Sequence, residues 1–410
     1  MKKVPEVMEK MPGIILTVLS QIKNECKALG YEAYIVGGAV RDMLLKSSLS
    51  DIDITVVGNI QRLARNLEKK HGCTLSIHPS FKTLTLHTEG NCRIDIATAR
   101  REVYPEPAAL PEVCPSNLYD DLKRRDFTIN SMAISLEDYD LIDPFGGLRD
   151  LESGIIRVLH DNSFMDDPTR IMRGIRFQVR YGFRMDNNTE ELIRRSVAGG
   201  YPGRLSKERV LAEMENILKE RWYSAMLYRL EEVGLWKVLF GGSEIPRSTY
   251  KILGRIQNSR ERNVLFPVLA ILEGIPDVRL GGTFTGYRTW YQKLQAYRAR
   301  EKALGLPVME NPLDNGALYK LFNGVDKKIL EYLYATACEE QYRTNIINYM
   351  RNLMDFEFHI NGSLLLSLGV EPGPRYKAIL ERAKLEIVER GVVDRGEQVE
   401  ILKSAAMKEE

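Results

Sequence analysis

Residues 50–55 read SDIDIT, two aspartates set two positions apart in a run that is otherwise apolar and β-branched. Side chains on a strand alternate faces, so Asp51 and Asp53 point one way and Ile52 and Ile54 the other, into a core. Like charges on one face repel unless a cation lies between them. A carboxylate pair of this kind suits a hard divalent ion such as magnesium, which takes oxygen ligands and keeps a substrate phosphate in its shell. The plain alternative is a solvated edge strand. Upstream, AYIVGGAVRDMLL (33–45) reads as a strand, a diglycine turn and a helix start. At Gly37 and Gly38 backbone amides can approach a phosphate at a helix N-terminus, although a tight strand–helix turn would use the same glycines. Downstream, RIDIAT (93–98) offers a third acid, Asp95, with Ile94 and Ile96 turned inward. Three carboxylates around metal ions are a common arrangement for phosphoryl transfer. Neither a Walker lysine motif nor a kinase catalytic loop occurs in the chain.

The sequence has 410 residues, 44% hydrophobic and 28% charged, an ordinary composition for two or three soluble domains. A formal net charge of +2 means that a phosphate-rich partner has to be met by a local patch. Cys26, Cys73, Cys92, Cys114 and Cys338 are odd in number and never spaced as CxxC, which speaks against a disulfide framework or a zinc site and for reduced, mostly buried thiols. No apolar run is long enough to cross a bilayer, and MKKVPEVMEKMPGII lacks the apolar core of a signal peptide, so a cytoplasmic protein without membrane partners is expected. Periodicity predicts helices over 14–29 and 59–71 and strands over 51–57, 73–78, 83–88 and 93–98, then a long proline-rich loop over 102–117. From about residue 160 the pattern is almost wholly helical, with Gly/Pro punctuation and no fixed repeat.

Taken in order, YIVGGAVRDMLL and SDIDIT, then DLKRRDFTINSMAI (121–134), DPFGGLRDLESGIIRVL (143–159), DDPTRIMRGIRFQVRYGF (166–183) and RLSKERVLAEM (204–214) resemble the motifs of the bacterial and eukaryotic class of CCA-adding tRNA nucleotidyltransferases and their poly(A) polymerase relatives. INGSLLLSLGVEPGPRYKAILERAK (360–384) is similar to the tail of the tRNA-specific members. The resemblance implies an α+β chain: a nucleotidyltransferase head with a small mixed sheet (1–157), then an elongated all-helical neck that recognises the base (158–220), and a helical body and tail that grip tRNA (221–410). It implies Asp51 and Asp53 as Mg²⁺ ligands, Asp95 as the third acid that helps activate the primer hydroxyl, and Gly37, Gly38 and Arg41 as triphosphate contacts. Arg124, Arg125, Asp126 and Asn130 become the ribose and phosphate motif. Asp126 could equally cap a helix there.

In DDPTRIMRGIRFQVR, Pro168 suits a first helical position, Asp167 the cap, and Arg170 one helical face with Asp167. Cytosine and adenine both present an amino donor beside a ring-nitrogen acceptor, so Asp167 can accept and Arg170 donate for either base. Uracil and guanine would leave buried groups unpaired, at a cost of about 1–3 kcal/mol each. Asp166 stands where the family usually has glutamate. Arg170, Arg173, Arg176 and Arg180 step along one face with no acid between Pro168 and Arg184, and so are expected to reach a triphosphate and RNA backbone unpaired. Arg209 and Glu213 suit an internal i,i+4 ion pair behind a Ser206 cap, and the aromatic–basic run 287–300 reads as a core helix with a basic outer face. The implied activity is template-independent addition of CCA to tRNA from CTP and ATP with release of pyrophosphate. An A-adding enzyme comes second, and a poly(A) polymerase, disfavoured by VEPGPRY, third. A non-catalytic RNA-binding descendant is the reading from another class, although the chain keeps every one of the acids and arginines such a descendant would shed.

Overall fold

A computed structural model describes residues 11–47, 51–71, 75–78, 83–87, 93–259, 263–275, 282–308 and 310–407. Ser50, Cys73, Cys92 and the expected strand ends at 73–74 and 88 lie outside the described residues. By contacts the chain divides into two compact units, Met1–Glu244 and Ile245–Glu410.

The first unit is built on a seven-stranded mixed sheet in the order β3-β4-β5-β2-β1-β8-β9. These strands are β1 (Glu32–Val36), β2 (Asp51–Val57), β3 (Leu75–His78), β4 (Thr83–His87), β5 (Arg93–Thr98), β8 (Ala133–Ser135) and β9 (Leu141–Ile142). β2 and β5 run parallel, and every other neighbouring pair is antiparallel. Alternation decides which face is which: Ile52, Ile54, Val56, Ile94 and Ile96 are buried, whereas Asp51 and Asp53 are exposed. Helices α1 (Gly13–Leu29) and α3 (Ile60–His71) pack against one another and bury Leu19, Ile22, Leu63 and Leu67 on the apolar side. Helix α2 (Gly38–Leu44) follows β1 through Gly37, whose φ of 70° is a conformation in which a Cβ would be strained.

The expected loop over 102–117 is in large part a hairpin. Strands β6 (Arg100–Val103) and β7 (Glu112–Pro115) pair antiparallel, and helix α4 begins at Leu118 (Leu118–Lys123) with Asn117 as its cap. The prolines that suggested a structureless segment lie in the connection and at the end of β7, where a missing N–H costs no ladder bond. Cys114 in this hairpin and Cys338 are exposed and only Cys26 is buried, so the described thiols are not mostly buried.

After β9 the unit is helical: α5 (Gly147–Glu152), α6 (Ser163–Asp166), α7 (Thr169–Tyr181), α8 (Asn187–Ala198), α9 (Lys207–Leu218), α10 (Tyr223–Glu232) and α11 (Leu235–Leu239), with a two-stranded parallel pair between β10 (Ile155–Ile156) and β11 (Arg184–Met185). Ser206 caps α9 by accepting from the Arg209 amide. The expected Arg209–Glu213 pair does not form. Arg209 turns to Asp167 and Glu213 faces Arg173 across the helix packing. Among its described residues the second unit has helices and no strand: α12 (Arg247–Asn258), α13 (Leu265–Gly274), α14 (Arg288–Leu304), α15 (Asn315–Phe322), α16 (Lys327–Thr336), α17 (Glu340–Asn352), α18 (Gly362–Ser367), α19 (Arg375–Arg390) and α20 (Arg395–Met407). In α14 Tyr297 is buried and stacks on Phe322 at 5.9 Å, whereas Trp290 and Tyr291 are only half-buried and Trp290 carries Lys293 and Lys328 over its ring, so the expected core helix holds for Tyr297 alone among its aromatics. Among the described residues no helix is long and apolar enough to cross a membrane.

Gly147, the first residue of α5, abuts the Thr128 carbonyl and the Met132 side chain so closely that a Cβ would overlap both. Gly147→Ala is therefore expected to destabilise the first unit by about 1–3 kcal/mol, the usual cost of overpacking. The strain should also reach Asn130, because α5 packs on the 3₁₀ turn that carries it. A melting midpoint unchanged within error would count against this packing.

Candidate active site

β1 and β2 are in register so that Val36 lies opposite Asp53, and the parallel pairing of β2 with β5 sets Asp53 opposite Asp95 and Asp51 opposite Arg93. The chain therefore leaves β1 at Gly37 beside the acid pair. A Cβ on Gly37 would sit 2.5 Å from Arg125 Nη1 and 3.9 Å from Asp53 Oδ2, so absence of a side chain is what lets guanidinium and carboxylate converge there. Asp53 is exposed and lines a concave cleft. Loss of solvation there raises its pKa; the Arg125 guanidinium opposes that rise, while the Asp95 and Asp51 carboxylates add to it. Asp95 is more committed: Oδ1 accepts from Thr85 Oγ1 at 2.6 Å and Arg93 Nε at 3.0 Å, and Oδ2 pairs with Arg93 Nη2 at 2.9 Å.

Facing these acids is a cleft of about 410 Å³ whose walls include Gly37, Gly38, Arg41, Arg124, Arg125, Asp126, Asn130, Asp167, Arg170, Arg173 and Arg176. The structure thus brings Asp53 and all eleven expected nucleotide-binding residues to one cavity. Asp51 and Asp95 do not line that cavity; Asp95 lies opposite Asp53 in the strand register and Asp51 two residues along the same strand. Arg41 is buried, donates from Nη1 to Asn130 Oδ1 at 2.6 Å and stacks on Phe177 and Tyr181, its guanidinium carbon 4.9 and 5.1 Å from the ring centres. Asn130 in turn donates to Asp126 Oδ1 at 2.8 Å, and Asp126 Oδ2 accepts from Arg173 Nε and Nη2 at 2.9 and 2.7 Å. Asp126 also accepts from the Phe127 amide, and so closes its own turn as well as binding α7.

The arginine face of α7 is not the unpaired stripe expected. Acids from other elements meet it: Arg173 pairs with Asp126 and lies 4.0 Å from Glu213, Arg176 approaches Glu220 at 3.9 Å, and Arg180 Nε bonds Glu220 at 3.0 Å. Spacing along one helix cannot reveal carboxylates supplied by a neighbouring segment. Arg170 departs from expectation too. It is only 5% exposed, with Nη1 donating to Ser163 Oγ at 2.8 Å and Nη2 to the Arg124 carbonyl at 2.8 Å and, at 3.4 Å, to Tyr104 Oη. Asp167 caps α7 by accepting from the Thr169 amide at 3.0 Å and hydroxyl at 2.6 Å. Its Oδ1 also takes Arg209 Nη2 at 2.7 Å. Those bonds all fall on Oδ1.

Sequence reasoning passed over Asp121, Glu102 and Tyr104. Asp121 stands three and four residues before Arg124 and Arg125, a spacing that could have marked it as their partner. Glu102 and Tyr104 were hidden by the reading of their segment as a loop.

Residues 33–157 match the poly A polymerase head domain, and residues 182–245 match a probable RNA and SrmB-binding site of polymerase A. The chain is similar to the A-adding tRNA nucleotidyltransferase of Geobacter sulfurreducens, 32% identical over 91% of this chain and 45% of that one. It is also similar to that of Halalkalibacterium halodurans, 30% identical over 89% of this chain and 86% of that one. The chain thus spans less than half the length of the first of these relatives. A solved Thermotoga maritima CCA-adding enzyme complexed with tRNA superposes with a TM-score of 0.75 at 29% identity, covering 100% of this chain and 99% of that one. The head, with its acids on one sheet face, is of the nucleotidyltransferase class. Within that class, the chain belongs to the family of tRNA nucleotidyltransferases that includes the A-adding and CCA-adding enzymes.

Burial alone would raise the pKa of Asp126, but Arg173, Asn130 and Arg170 outweigh it and hold the carboxyl at about 2. A folded-state pKa below the unfolded value of about 3.9 adds stability that is fully present above pH 4 and is lost as pH falls through 2. Asp126→Asn should therefore lower stability by about 2 kcal/mol at pH 7, with the difference from wild type shrinking between about pH 4 and pH 2 in an acid-unfolding series. A constant difference across that window would refute the assignment.

Proposed function

We propose that the chain adds nucleotides from CTP and ATP to the 3′ end of tRNA without a nucleic-acid template and releases pyrophosphate, working in the cytoplasm. The observation that carries this reading is the pairing of Asp51 and Asp53 on one face of β2, with Asp53 in the lining of a cleft walled by arginines. The terminal ribose hydroxyl attacks the α-phosphate. An O–P bond forms, the bond to the β-phosphate oxygen breaks, and the hydroxyl proton leaves with help from Asp95. Arg41, Arg124 and Arg125 hold the triphosphate, and Asn130 with Asp126 the ribose.

Whether the acids suit a magnesium ion can be judged from their own chemistry. Asp53 is an exposed carboxylate beside two other acids, and its pKa is raised by partial loss of solvation and by those acids, a setting that favours a bound cation. Among the described residues no three metal-ligating side chains converge, so Asp51 and Asp53 would be the protein's whole contribution, with phosphate and water completing the shell. Mg²⁺ bound there supplies charge stabilisation on the reacting phosphate.

For base choice, Asp167 accepts from the exocyclic amino group shared by cytosine and adenine. Arg170 donates to the ring nitrogen by giving up its long 3.4 Å contact with Tyr104. Asp167→Ala should therefore cut the preference for ATP over GTP by about 5- to 150-fold, the factor that 1–3 kcal/mol per unpaired group represents. Competition kinetics with the two nucleotides would show it, and an unchanged ratio would remove Asp167 from base selection.

Addition of the full CCA is the first reading. A-only addition is the second, favoured by A-adding relatives that align over 91% and 89% of this chain. Incubation with labelled CTP or ATP and tRNAs ending before the first C, after one C and after CC separates them. The first reading expects label from CTP in the shortest tRNA, the second only label from ATP in tRNA ending in CC. The Asp51→Ala/Asp53→Ala variant is expected to lose activity at least about a thousandfold, within the span that charge stabilisation of phosphoryl transfer supplies. Equal pyrophosphate release from both proteins would exclude the acid pair.

A further inference from the structure

Asp121 lies outside every motif role assigned above, yet it is the most completely enclosed carboxylate near the acid pair, with no solvent exposure. It reaches the site from α4, and its oxygens are shared among donors from three directions. Arg124 Nε and Nη2 bond Oδ1 at 3.0 and 2.9 Å, and the Arg100 amide reaches the same oxygen at 3.3 Å. Arg125 Nη2 bonds Oδ2 at 2.9 Å, and Thr55 Oγ1 reaches it at 3.3 Å. Thr55 follows Asp51 and Asp53 on the same face of β2. Asp121 is therefore third in line behind the two acids, tied to their strand and to the arginine that approaches them.

That arginine divides its guanidinium. Nη2 is held by Asp121, while Nη1 lies over Gly37 on the side where Asp53 Oδ2 also sits, and its charge acts on Asp53. Arg125 Nε, buried, has no hydrogen-bond partner, so the bond to Asp121 fixes how far the group leans toward Asp53. We infer that Asp121 is a positioning residue: it holds Arg125 back from Asp53, so that the carboxylate stays available to a divalent cation while the guanidinium remains beside the incoming triphosphate. Without the Asp121 charge, Arg125 would close on Asp53, a carboxylate on which its charge already acts, and compete with the ion for it. The inference rests on the reading of Asp51 and Asp53 as cation ligands.

The test uses the full chain and Mn²⁺ alone as probe, with binding followed by the loss of the free-ion signal in electron paramagnetic resonance, without tRNA or nucleotide. Asp121→Asn is expected to weaken binding about tenfold, the usual scale for disturbing a group that orients a ligand. Asp121→Asn/Arg125→Gln should return it to within about threefold of wild type, because the competing cation is gone; a merely structural Asp121 would not be rescued in this way. Unchanged binding in Asp121→Asn, or no recovery in the double variant, overturns the inference. If Asp121→Asn does not fold, Arg125→Gln alone decides: binding at least as tight as wild type supports the inference, and weaker binding overturns it. Equal binding by wild type and by Asp51→Ala/Asp53→Ala would show instead that the acid pair takes no cation, and the proposed function would lose its metal together with this inference.

Discussion

Charge compensation around two like-charged carboxylates is the constraint on which the first unit depends. β2 puts Asp51 and Asp53 on one face because its other face must be buried, and parallel pairing with β5 adds Asp95 at the same level. Three acids so close are tolerable only where positive charge is supplied, and the chain supplies it from two directions. Arg93 comes from within the sheet and takes Asp95, and Arg125 comes from the end of α4 and acts on Asp53. Asp53 is left the least compensated of the described acids in the cleft, with its pKa raised by its surroundings.

From there the compensation spreads outward as a lattice. Arg124 joins Asp121 to Glu102 of the hairpin at 2.9 and 3.0 Å, and its carbonyl receives Arg170 from α7. Arg41 joins α2 to Asn130, Asn130 joins Asp126, and Asp126 joins Arg173. Each of these groups is buried or half-buried, where a charge without a partner is costly and a paired one fixes geometry. The sheet, the hairpin and α7 are thus held in register by the side chains that line the cleft, and the site is built into the scaffold.

Much of this was legible in the sequence for identifiable reasons. The alternation of Asp and Ile fixed the face of β2, the diglycine fixed the turn into α2, and helical periodicity from residue 160 onward carried the rest of the fold. What could not be read was pairing between distant segments. The stripe of arginines on α7 looked unopposed because Asp126, Glu213 and Glu220 are 47, 40 and 40 residues away from Arg173, Arg173 and Arg180. The hairpin β6–β7 was missed because its prolines and short strands carry a loop's composition, and Arg209 looked satisfied by Glu213 until the packing of α9 offered it Asp167. Local pattern reports faces and turns; it does not report which acid an arginine will meet.

The ladder of ion pairs along α7 has a bearing on how ligands are exchanged. Arg173 and its neighbours already hold carboxylates, so an anion entering there would replace one partner by another instead of filling an empty cationic hole. Only the difference between two similar partners is gained, which favours quick departure over tight retention. On the reading proposed above, a grip of that kind would suit a site that releases one anion before it admits the next.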